Sequence, residues 1–142
     1  MATEFKGQMM NRKLFTLIVV GTLLSLGHTA DHAIRDDLRW LSPELIAFVI
    51  VSLVLYSAIG TGLYLYAKGK VGPRFWTIFA FAGLLFGWAG HFSPFTEQPP
   101  SYILRAYNYG FAGWVALGVL VALMLVMGVF GVYAAYLWRR GV

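Results

Sequence analysis

The chain contains no cysteine. That removes disulfides, thiol redox chemistry, thiolate-ligated zinc and cysteine-bound clusters, and leaves any haem without a covalent attachment motif. Charge is scarce as well, at 12% of the 142 residues against the quarter or so typical of soluble domains. Acidic residues number only six. Absent too are a nucleophile elbow, a P-loop, a dinucleotide fingerprint, a His-Glu-x-x-His motif and any repeat of solenoid length.

What the chain has instead is apolar mass. Hydrophobic residues make up 59% of it and the mean hydropathy is +0.70. A chain this short cannot hide that much apolar surface in a water-facing fold, so lipid is the expected solvent. Four apolar runs, about 14–35, 45–67, 75–92 and 110–138, predict four transmembrane helices. They are continuous and do not alternate, which argues against a barrel. The expected fold is all-α, a single transmembrane domain over 1–142 built as a four-helix bundle. Ser42, Pro43 and Glu44 mark the start of the second helix as cap, first turn and dipole partner. His28-Thr29-Ala30 is a poor cleavage site, so the first span is read as retained.

Lys6, Arg12, Lys13, Lys68, Lys70, Arg74, Arg139 and Arg140 fall on one side of such a bundle, and Arg35, Arg39 and Arg105 on the other. The positive-inside rule then puts both termini and the middle turn in the cytoplasm. The basic excess is explained by topology, and nucleic acid is excluded as a partner. The expected partners are the bilayer, other membrane subunits or a second copy. The layout resembles small prokaryotic four-helix membrane proteins, which implies a multi-pass location in the cell membrane, the inner membrane of a prokaryote.

Most of the tryptophans, Trp40, Trp76, Trp88, Trp114 and Trp138, read as interface anchors, with Trp88 deep enough to line a pocket. The polar residues gather on the outward side. His28, Asp31, His32 and Arg35 follow the i, i+3, i+4, i+7 pattern of one helix face, which extends back to Ser25 and Gly21. Gly83 and Gly87 form a close-packing GxxxG face that continues to His91. The two faces aim His28, His32 and His91 at one place between the first and third helices.

Several functions use such a cluster. His28, Asp31, His32 and His91 form a candidate ligand set for a divalent metal (Zn, Cu or Fe), because imidazole suits these ions. Arg35 is a candidate counter-ion, and Glu97, in the proline-rich connection, a further ligand or counter-ion. Histidines on two helices also suit a haem or a quinone head group. An ion path is disfavoured, because no charged relay continues toward the cytoplasmic turn. The leading reading is an accessory or structural subunit of a membrane complex, in which the cluster is a helix-end network. Metal-binding membrane protein or enzyme, and haem or quinone anchor, are the alternatives; enzymatic activity itself is left open.

The cysteine-free chain is a clean background for testing topology. Single Gly69→Cys and Glu97→Cys variants in intact cells should respond oppositely to a membrane-impermeant maleimide, with only Glu97→Cys labelled before permeabilisation. Labelling of Gly69→Cys alone would invert the orientation.

Overall fold

A computed structural model of the protein describes residues 11–35 and 42–141. Every regular element among them is a helix: α1 Arg12–Arg35, α2 Pro43–Ala67, α3 Pro73–His91, α4 Pro100–Ala106 and α5 Phe111–Arg140. Three of these, α1, α2 and α5, are long and apolar enough to cross a membrane. The short α4 lies in the proline-rich connection. Residues 1–10 and 36–41, Lys6, Arg39 and Trp40 among them, lie outside the described residues.

Helix ends follow local chemistry. Asn11 starts α1: its side-chain oxygen accepts from the Leu14 amide at 3.0 Å and its own amide donates to the Tyr66 hydroxyl at 3.1 Å. Ser42 caps α2 by accepting from the Leu45 amide at 3.1 Å, with Pro43 in the first turn, as the sequence indicates. Pro73 and Pro100 open α3 and α4 in the same position, where a missing amide hydrogen costs nothing. Gly141 ends α5 in the left-handed conformation.

α5 is the element on which α1, α3 and α4 pack. Glycines make this close approach possible. A Cβ on Gly83 would lie 2.7 Å from Met127 Cε, and one on Gly87 2.7 Å from Met124 Sδ, so methionines of α5 fill both notches of α3. Gly21 of α1 faces Met127 and Val126 of the same helix. Unbranched thioether chains suit such irregular gaps. The main core sits at the end away from α4 and is built around Trp76, Phe130, Leu14 and Ala134. Trp76 is therefore no interface anchor: it is fully buried, against Tyr66, Phe75, Phe79 and Phe130. Trp114 and Trp138 are exposed, and Arg74 stacks over Trp138. A smaller cluster, Ile103, Ala116 and Leu120, ties α4 to α5.

α2 is the outlying helix. Its inner stripe is Phe48, Ser52, Leu55, Ile59, Gly62 and Tyr66, flanked by the half-buried Tyr56 and Leu63, while much of the opposite face is turned outward. Ile46, Val49, Ile50, Leu53 and Val54 are all exposed. An unbroken aliphatic face of this kind suits lipid and would be costly in water. α2 closes on α3 at Gly62, where a Cβ would meet Phe75 at 2.7 Å and Trp76 at 3.0 Å. A cavity of about 370 Å³ lies between α1, α2, α3 and α5.

A candidate metal centre of three histidines

The last three turns of α1 and the last residue of α3 bring the three histidines together. His28 Nε2 lies 3.1 Å from His91 Nε2, and His32 Nε2 lies 3.4 Å from the same atom. All three present a ligand nitrogen within 4.8 Å of the others. His28 and His32, one turn apart, have ring centroids 4.7 Å apart, and His91 sits edge-on to His28 at 4.9 Å. His91 is buried and the other two are half-buried. The shared face read from the i, i+4 spacing on α1 and the Gly83, Gly87, His91 stripe on α3 are what place them.

The connection from α3 to α5 supplies outer partners for this group. Ser93 donates to the Ala89 carbonyl, Thr96 donates to the Gly90 carbonyl, and the Gln98 amide donates to Thr96 Oγ1. This folds the segment back on α3, so the Gln98 carbonyl accepts from His91 Nδ1 at 3.0 Å. A carbonyl can only accept, so Nδ1 of His91 carries the proton and its Nε2 presents a bare lone pair to the other two rings. Such an outer hydrogen bond is how proteins orient a metal-binding imidazole.

Asp31 stands beside the trio and not within it. Its carboxylate accepts from Tyr107 Oη at 2.8 Å and from Arg35 Nε at 3.2 Å, and the residue is buried. The group whose ligand atoms come together is His28, His32 and His91, and Asp31 lies outside it, engaged by these two donors. Arg35 also donates to His32 Nδ1 at 3.3 Å and lies over the Tyr102 ring. It is the counter-ion of Asp31, so the charges next to the histidines cancel. Glu97 is exposed and outside the group. The connection contributes its Gln98 carbonyl in place of the Glu97 carboxylate.

Tyr107 ends the short α4. It reaches Asp31 because α4 folds back on α5: a Cβ on Gly113 would lie 3.1 Å from Tyr107 Cβ. Asn108 and Tyr109 make the reversal with φ of 50° and 57°. Left-handed backbone at a non-glycine residue costs about 1–3 kcal/mol, more easily borne by Asn than by Tyr. The compensating contacts are Ile103, fully buried, and the Tyr107 to Asp31 hydrogen bond. No sequence pattern announces this turn, since neither residue is glycine.

Below the trio lies the cavity. Its upper wall includes all three histidines, and Thr29 and Ser25 add hydroxyls that share Tyr56 Oη at 2.7 and 3.3 Å. The rest is apolar. Trp88, expected as a pocket residue, is half exposed and outside this lining; its neighbours Phe86 and Gly87 line it instead.

Fold and cluster together define the class: an all-helical protein with three helices long and apolar enough to cross a membrane and a three-histidine group at one end. No protein-family model matches the chain, and comparison with curated proteins and with solved structures gives no match either.

Removing the Tyr107 hydroxyl leaves a buried carboxylate short of one donor. Tyr107→Phe should lower stability by about 1.5–3 kcal/mol, the range for a hydrogen bond to a charged group. Asp31→Ala strands Arg35 and should cost more, about 3–5 kcal/mol. Chemical denaturation in detergent reads both, and equal, negligible effects would contradict the network.

Proposed function

We propose that this is a multi-pass membrane protein that binds a transition-metal ion through His28, His32 and His91. The observation that carries the reading is the pair of nitrogen separations, 3.1 and 3.4 Å. Two imidazole nitrogens on one tetrahedral ion, each about 2.0–2.1 Å from it, stand roughly 3.3 Å apart. Three neutral imidazoles with no thiolate suit Zn, Cu or Fe and leave a fourth position for water or a ligand. The Gln98 carbonyl already orients His91 for this role. His32 needs one adjustment. Its Nδ1 now accepts from Arg35, so its proton sits on Nε2; ligation moves that proton to Nδ1 and releases Arg35 to Asp31, which it already touches.

The separations weigh against a haem held between His91 and either His28 or His32. Axial nitrogens on opposite faces of one iron stand roughly 4 Å apart, twice a metal–imidazole bond. The edge-on packing of His28 on His91 leaves no slot for a macrocycle. The accessory-subunit reading accounts for less of the site. A helix-end network explains Asp31, Arg35 and Tyr107, but it does not call for three imidazole nitrogens meeting at one point beside a cavity.

The topology is part of the proposal. α3 is taken as the fourth crossing of a four-helix bundle: 19 residues rise roughly 28 Å, close to the hydrocarbon thickness. The basic residues put both termini in the cytoplasm and the metal at the outer mouth.

Tag-free protein purified in detergent should carry stoichiometric Zn, Cu or Fe by elemental analysis. His28→Ala and His91→Ala should each lose it, while Glu97→Gln keeps it. Metal-free protein that takes up none of these ions on addition, or metal retained in a His28→Ala, His91→Ala double variant, would overturn the reading.

A further inference from the structure

The cavity has a polar head and an apolar body. At the head are the three histidines and the Thr29 and Ser25 hydroxyls, both of which bond Tyr56 Oη. The body is mostly apolar: four phenylalanines, Phe48, Phe79, Phe86 and Phe130, line it together with Met124, Met127 and aliphatic side chains such as Leu55, Ile59 and Leu123. Aromatic faces and thioethers are the surfaces that a flat ring packs on best. Volume is sufficient: a dry cavity of roughly 150 Å³ already takes a benzene-sized ring, and this one has about 370 Å³.

The mouth can be placed. Val51 of α2 and Phe86 of α3 both line the cavity, yet they are 48% and 69% exposed. Gly90, also in the lining, has open space where its Cβ would be. The opening therefore runs between α2 and α3 past an apolar rim, on a side of the molecule whose surface suits lipid. A ligand coming this way is dissolved in the membrane and enters sideways.

From these features we infer that the cavity binds a membrane-dissolved quinone or quinol, with its oxygen-bearing ring set against the histidine group and its tail leaving between α2 and α3. A ring oxygen fills the open metal position, and the hydroxyls of Thr29 and Ser25 offer hydrogen bonds beside it. A plain acyl chain has no group to set against the polar head, and a water-soluble ligand has no route through the apolar rim. The inference rests on the metal reading for its ring-oxygen contact, and on the cavity alone for its walls and entrance.

The test uses full-length, tag-free protein in detergent and decylubiquinone as the probe, with binding read by native mass spectrometry and by the shift in thermal unfolding. Metal content is measured on the same samples. Zinc-loaded wild type should bind the probe. Ser52→Phe, which fills the body of the cavity, and Gly90→Leu, which adds a side chain in open space at the mouth, should each keep the metal and bind at least about tenfold more weakly. The exposed Gly90 position makes that variant the safer one for folding. No binding by wild type, or undiminished binding by Gly90→Leu and by folded Ser52→Phe, overturns the inference. If the protein takes no metal, the metal reading falls by itself. Probe binding to that metal-free protein, lost in the two variants, would still support the quinone site, and its absence would sink it.

Discussion

Three imidazoles, two of them with a ring nitrogen within hydrogen-bonding distance of His91 Nε2, are the constraint around which the α4 end of this protein is arranged. Polar rings are not brought together in apolar surroundings without recompense, because burial strips them of water. His91 meets that cost through the Gln98 carbonyl and through its two histidine neighbours. His28 does not meet it fully. Its Nδ1 is buried without a partner, while its Nε2 is committed to His91. A metal ion at the meeting point supplies what the rings alone lack, since it engages all three lone pairs at once.

The surrounding structure serves that meeting point. Glycines on α1 and α3 let α5 approach, and its methionines then line the cavity beneath the histidines. The connection between α3 and α5 spends backbone strain at Asn108 and Tyr109 to lay α4 over the same end. What it gains is a set of outer contacts: Gln98 on His91, Tyr102 on Arg35, Tyr107 on Asp31. Asp31 and Arg35 neutralise each other one turn from the histidines, so an incoming cation meets little net field.

Much of this was legible in the sequence, for physical reasons. Long apolar runs announce helices, and the Ser42-Pro43-Glu44 start of α2 is local chemistry that tertiary contacts do not override. The histidine faces were legible because helical spacing is rigid: His28 and His32 one turn apart must lie together, and a glycine stripe must face a neighbour. What escaped depends on long-range folding. Tyr107 lies 76 residues from Asp31 in sequence and reaches it through an unusual pair of left-handed residues without glycine. Asp31 looked like a ligand because it shares the histidine face, but neighbouring donors claimed it. Trp76 looked like an anchor because it lies near a span end, yet Gly62 makes room for its ring inside the core. The cavity was invisible, since it follows from how far α2 stands from its neighbours.

The claim at the centre of this account is that three imidazoles bind one ion, and X-ray absorption of the metal-loaded, tag-free protein tests it most directly. The account predicts a first shell containing three nitrogens at about 2.0–2.1 Å, with the multiple-scattering pattern of imidazole rings and no sulfur. A shell of oxygen alone, without imidazole scattering, would mean that the metal sits elsewhere and that the histidine group serves only the packing of the helix ends.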